Sequence, residues 1–101
     1  MVRPEKRCGY IYFLLSDKHN ALKIGFTRNN LKQRLKDYFT HTPYDYDVLG
    51  AIKGTMMDER ILHRRFVRYK IRGEWFNYSD ELREYVEKVI LENAYLENIS
   101  K

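Results

Sequence analysis

Gly9-Tyr10-Ile11-Tyr12-Phe13-Leu14-Leu15 and Ala21-Leu22-Lys23-Ile24-Gly25-Phe26-Thr27, joined by the turn-forming Ser16-Asp17-Lys18-His19-Asn20, decide the fold. Side chains alternate faces along a strand, so two such runs around a short polar turn predict an antiparallel hairpin. With Tyr12 set opposite Lys23, the residues Ile11, Phe13, Leu22, Ile24 and Phe26 share one face. Tyr10, Tyr12, Lys23, Gly25 and Thr27 share the other. The first face is apolar. The second gathers phenols, an ammonium and a bare glycine, a combination suited to chemistry or to a polar ligand.

Working outward, Asn30 reads as a helix N-cap, with Gln33 three residues on to complete a capping box. Leu31, Leu35, Tyr38 and Phe39 form the apolar stripe of that helix, and Pro43 closes the region. Tyr44 to Ile52 predicts a third strand. Gly54 and Thr55 open a second helix over about Met56 to Tyr69, with Ile61, Leu62, Phe66 and Tyr69 at helical spacing. Gly73-Glu74-Trp75-Phe76-Asn77 reads as an extended or loop segment. Ser79 caps a last helix, with Asp80 and Glu81 in the first turn, where the dipole favours acids. Its buried face is Leu82, Val86, Val89 and Ile90. Residues 1–8 are expected as a loose lead-in, and the end beyond about Leu96 as frayed. The order predicts one α+β domain over residues 1–101, with an ordered core of about 9–96. About three helices pack on a small antiparallel sheet of about three strands.

A chain of 101 residues, 44% of them apolar, suits one compact core. The formal net charge is +5, and the excess is clustered. Arg60, Arg64, Arg65, Arg68, Lys70 and Arg72 form one group; Arg28, Lys32, Arg34 and Lys36 form another. That pattern favours a polyanionic partner, nucleic acid before membrane; on charge alone a merely solvated basic surface is an equal alternative. The single cysteine, Cys8, excludes an internal disulfide and fits a reducing, intracellular setting, cytoplasm or nucleus. No apolar run approaches the roughly 20 residues that span a bilayer, and the basic N-terminus does not read as a signal peptide.

Three places could carry chemistry. Arg34 lies beside the apolar stripe of its helix; it either snorkels outward or reaches along the sheet toward an anion. Glu59 and His63 are one helical turn apart on a face bordering the core. Such a pair is a surface contact or part of a site, and no third ligand completes a zinc set. A single carboxylate suits a hydrated Mg²⁺ better, because magnesium keeps most of its waters. Glu74 precedes an aromatic anchor, Trp75-Phe76, and could pair with a nearby arginine. The five glycines are scattered, which excludes a phosphate-cradling loop. No Ser/His/Asp arrangement stands out, and Cys8 reads as a structural thiol.

In this order, Tyr10-Ile11-Tyr12, Lys23-Ile24-Gly25, Arg34 within Leu31-Lys32-Gln33-Arg34-Leu35, and Glu59 resemble the GIY-YIG nuclease superfamily. The resemblance spans roughly residues 9–90. Tyr10 stands where the family has its first glycine and Lys23 where it has its second tyrosine. The combination with Glu-x-x-x-His and Gly-Glu-Trp-Phe looks like a branch of phages, large DNA viruses and bacteria. The resemblance implies metal-dependent hydrolysis of a DNA phosphodiester. In that picture Glu59 fixes Mg²⁺ or Mn²⁺, and Arg34 takes charge developing on the phosphoryl oxygens. Tyr12 orients the attacking water or acts as general base; a free phenol is a poor base near neutral pH, and a cation such as Lys23 beside it helps. His63 is the other candidate base. Gly25 admits close backbone approach, and Arg28, Lys32, Arg64 and Arg68 hold the phosphate backbone without reading bases.

Two other readings stay open at this stage. One is a catalytically inactive nucleic-acid-binding module on the same scaffold, motivated by Lys23. The other is an interaction domain whose basic face is incidental. If the chain is a nuclease, its short length implies weak sequence preference, or a preference for nicks, flaps or branches.

Overall fold

The computed structural model describes residues 8–28, 30–41 and 46–93. Within them the chain builds β1 (Cys8–Ser16), a 3₁₀ turn (Asp17–His19), β2 (Ala21–Thr27) and α1 (Leu31–His41). There follow β3 (Asp47–Thr55), α2 (Met56–Arg65), a second 3₁₀ turn (Val67–Tyr69), β4 (Lys70–Arg72), β5 (Trp75–Asn77) and α3 (Asp80–Asn93). Residues 1–7 of the expected lead-in, the turn at Pro43, Tyr44 and the expected frayed end lie outside the described residues, while Cys8 already belongs to β1. The side chains of Cys8, Tyr38 and Phe39 also lie outside the described set.

The hairpin forms where the alternation places it, but its register differs. Tyr12 faces Gly25, and Lys23 faces Leu14. Ser16 pairs with Ala21 across a four-residue loop, in which Asn20 takes the left-handed conformation at φ 50°. The expected register, carried as far as Ser16, would have paired it with His19 and left a two-residue turn. A shift of two residues keeps every side chain on its face, so the division of faces survives. Ile11, Phe13, Leu22 and Ile24 are buried together, with Phe26 packed against them.

The second face is less polar than the alternation implies. Leu14 lies on it, and α1 lays Leu31 and Leu35 over Tyr12, Leu14 and Ala51. The Asn30 side chain caps α1 by accepting from the Gln33 amide N–H at 3.0 Å. The Gln33 side chain does not complete the box; it donates forward to Asp37 at 2.8 Å.

The sheet has five antiparallel strands in the order β3-β1-β2-β5-β4. β3 runs to Thr55, beyond the expected end at Ile52. It carries a bulge where Phe13 pairs with Gly50 and Leu14 with Val48. β4 and β5 together replace the expected loop. Their tight turn depends on Gly73, whose φ of +55° is one that residues with a Cβ seldom adopt.

α2 and α3 cover the other face of the sheet, burying Leu62, Phe66, Leu82 and Val86. α2 starts in a full capping box. The Thr55 hydroxyl accepts from the Asp58 N–H at 3.1 Å, and Asp58 accepts from the Thr55 N–H at 2.9 Å. The helix stops at Arg65, not at Tyr69. Phe66 drops fully into the core, and the chain turns back to pair β4 with β5, so pairing wins over weak helix formers such as Val67. Ile61, expected inside, is 53% exposed. Ser79 caps α3 through the Leu82 N–H at 3.3 Å. Among the described residues, no helix is long and apolar enough to cross a membrane.

Candidate functional site

The site begins at Gly25. Tyr12 lies directly across from it, and its ring crosses the space where a side chain would stand. A Cβ at position 25 would come 2.4 Å from the Tyr12 Cζ. The glycine therefore serves the tyrosine: it lets the phenol lie flat over bare backbone. Tyr12 is 1% exposed, closed over by α1.

Arg34, exposed on α1, hydrogen-bonds the Tyr12 hydroxyl. A guanidinium only donates, so the phenol oxygen accepts. That bond is the main reason the Arg34 pKa is raised; burial opposes it, and the charges of Glu74 and Asp37 add to it. Of the two orientations open to Arg34, it takes the one that reaches the sheet. Negative charge developing on the Tyr12 oxygen would fall directly on a cation.

Lys23 stands two residues before Gly25 and on the same face. Its ammonium lies 3.3 Å from a Glu74 carboxylate oxygen and 5.9 Å from the centre of the Trp75 ring. The β4–β5 turn delivers Glu74 there, because the Glu74 carbonyl accepts from the Ile24 N–H at 3.0 Å and so docks the turn on β2. The expected arginine partner of Glu74 is thus corrected: the contact is with Lys23.

Glu59 projects from the first half of α2, with only 12% of its side chain exposed. Burial raises its pKa most, and the neighbouring Glu74 charge raises it further. His63, Arg60 and Lys23 pull the other way. His63 sits one turn on, its Nε2 3.9 Å from a Glu59 oxygen and 2.9 Å from the Ile24 carbonyl oxygen. A carbonyl only accepts, so Nε2 carries the proton and is committed to β2. The ring edge meets Phe76, with centroids 4.9 Å apart. His63 therefore ties α2 to the sheet at the level of Glu59.

The structure brings Tyr12, Lys23, Arg34, Glu59 and His63 into one neighbourhood. Glu74, which sequence reasoning left unplaced, is its hub: it contacts Lys23 and acts electrostatically on both Arg34 and Glu59. Its signal was hidden because β4 and β5 are only three residues each. Arg28, Lys32 and Arg64 are exposed. Arg68 belongs elsewhere: it stands 3.9 Å from Glu81 of α3 and over the Tyr69 ring.

The donor set fits one metal class better than another. Among the described residues no group of three or more His, Cys, Asp or Glu side chains could hold a metal ion, which is unlike a zinc site. A buried carboxylate that feels a second carboxylate suits a hydrated hard cation.

No solved structure matches the chain. A curated relative, the uncharacterized protein L754 of Acanthamoeba polyphaga mimivirus, is 36% identical over an alignment of 78 residues that covers 71% of this chain and 19% of that protein. The chain thus spans about a fifth of that relative's length. The family model described as the T5orf172 domain matches residues 9–93. That match takes in both strands of the hairpin, all three helices and each residue of the neighbourhood just described, and the chain belongs to the T5orf172 domain family.

Proposed function

We propose that the chain is a Mg²⁺- or Mn²⁺-dependent DNA endonuclease of the GIY-YIG kind, hydrolysing phosphodiester bonds with low or structure-dependent sequence specificity. One observation carries the reading: Glu74 contacts Lys23 and acts electrostatically on both Arg34 and Glu59, and Arg34 bonds Tyr12, so that residues of four separate elements are linked. Membership of the T5orf172 family supports it.

In this reading Glu59 holds the divalent ion. Bound there, such an ion supplies neutralisation of the scissile phosphate and stabilisation of the leaving 3′ oxygen. Arg34 faces the phosphoryl oxygens and takes their developing charge. Tyr12 fixes Arg34 and orients the attacking water from its hydroxyl. Lys23 exchanges Glu74 for a phosphate oxygen. His63, with Nε2 engaged by the Ile24 carbonyl, is a positioning residue for Glu59. Arg28, Lys32 and Arg64 hold the flanking backbone.

A catalytically inactive DNA-binding module on the same scaffold is the second reading, and the near-complete burial of Tyr12 favours it. Plasmid nicking separates the two. With Mg²⁺ or Mn²⁺ the wild type is expected to nick supercoiled DNA, and Glu59→Ala to lose at least about 100-fold in rate, the scale of removing one preorganised charge-stabilising group. Equal nicking by both proteins, or DNA binding without nicking by either at high enzyme, refutes the nuclease reading; the latter outcome selects the binding module.

A further inference from the structure

We propose that the chain carries a pocket for an unpaired DNA base beside the Tyr12–Lys23 face. The proposal rests on the DNA reading above and names the substrate feature that this site would select.

Where the β1–β2 turn meets the β4–β5 hairpin, a cavity of about 370 Å³ opens, lined among others by His19, Ala21, Tyr46, Ile71, Arg72 and Trp75. That is the size class of small organic ligands, roughly 300–1,000 Å³. Its wall is aromatic. The Tyr46 and Trp75 rings meet at a centroid distance of 5.3 Å and an angle of 38°. Both rings line the cavity, so a flat ligand lies against them. Ile71, 58% exposed on the edge strand, adds an apolar rim.

The same wall is flanked by cations. Trp75 pairs with Lys23 on one side and with Arg72 on the other. A row of cation, indole, cation therefore crosses three neighbouring strands, and its first member is also a member of the candidate site. Apolar aromatic surface framed by positive charge matches one nucleotide: a base with a π-face, and phosphates on either side of it. Inside a duplex both faces of a base are taken by its neighbours, so only an unpaired base reaches such a wall. A base seated here places its own backbone at Lys23, within reach of the cleavage chemistry. Of the expected preference for nicks, flaps or branches, this gives the part for flaps and branches a physical origin.

Trp75 is the only tryptophan in the chain, so its emission reports on this pocket alone. The test uses the full chain in EDTA at low salt with three DNAs: a duplex with a three-nucleotide gap, the same duplex with the gap residues abasic, and an uninterrupted duplex. Anisotropy of labelled copies reads affinity, and unlabelled copies are used to read Trp75 quenching. The gapped DNA is expected to bind roughly 5- to 100-fold tighter than its abasic twin, the worth of stacking one base, and to quench Trp75 where the other two do not. Trp75→Leu should narrow the difference between the first two DNAs to under about twofold, and Trp75→Phe should restore most of it. The wild-type comparison stands by itself if a variant fails to fold. Equal affinity for gapped and abasic DNA, with unchanged emission, overturns the pocket while leaving Glu59-dependent nicking untouched. Quenching by uninterrupted duplex as strong as by the gap overturns the selectivity for unpaired bases. No binding to any of the three at low salt overturns both this proposal and the DNA reading.

Discussion

Gly25 shows how a single missing side chain shapes the site. Gly25→Ala would put a methyl 2.4 Å from the Tyr12 Cζ. The ring cannot yield, because α1 covers it and Arg34 holds its oxygen. The substitution is expected to cost about 2 kcal/mol in a urea titration, within the usual range for overpacking, and to lower nicking along with stability. Glu59 is expected to behave in the opposite sense. Its folded pKa lies above the unfolded value, so the folded state binds the proton more tightly and stability falls as pH rises through the interval between the two. At neutral pH the ionised carboxylate is a burden on the fold. Glu59→Gln should therefore raise Tm at pH 7, and the gain should vanish in acid. Differential scanning calorimetry across pH reads this directly. A variant that gains stability and loses activity marks a residue kept for function.

At the scale of the element, α2 carries Glu59 and His63, and the Thr55 capping box sets where it begins. Thr55→Ala is expected to cost about 1 kcal/mol by chemical denaturation, and to weaken nicking more than an exposed change elsewhere, such as Leu91→Ala, because the first turn frays next to Glu59. The elements also show what a sequence can disclose. β1, β2 and the starts of all three helices were legible, because alternation and capping residues are local signals. The hairpin register was not. Alternation is blind to a slip of two residues, and only the loop length, settled by Asn20 in the left-handed region, separates Tyr12 opposite Lys23 from Tyr12 opposite Gly25. β4 and β5 were illegible because three residues cannot establish a period. Glu74 and Trp75 were missed as members of the site for that reason. Arg34 and the Glu59–His63 pair were found because each sits at a helical spacing that borders an apolar stripe.

For the whole molecule, charge and topology make separate statements. Arg28, Lys32 and Arg64 are exposed, while Arg68 is drawn to Glu81. Counting Lys23 and Arg34 of the site with these three, binding to duplex DNA should weaken with salt along a log–log slope near −4.5, at about −0.9 per neutralised phosphate, and Arg68→Ala should leave that slope nearly unchanged in filter-binding or anisotropy titrations. Topology adds that the candidate site draws on both halves of the sheet. Tyr12 and Lys23 come from the long central strands, Arg34 and Glu59 from helices on opposite faces, and Glu74 and Trp75 from the hairpin at the margin. That hairpin joins the rest through the short β2–β5 ladder of Ala21, Leu22 and Lys23 with Asn77, Phe76 and Trp75, together with the Ile24–Glu74 and Asn20–Tyr78 backbone bonds. Phe76 anchors β5 in the core, fully buried against His63, but β4 is exposed along its whole length, so that outer strand and its Gly73 turn fray before the centre melts. The protein's competence is thus more perishable than its shape: on warming, the outer strand and its turn let go first and loosen Glu74, while the central strands and the helices above and below them still stand.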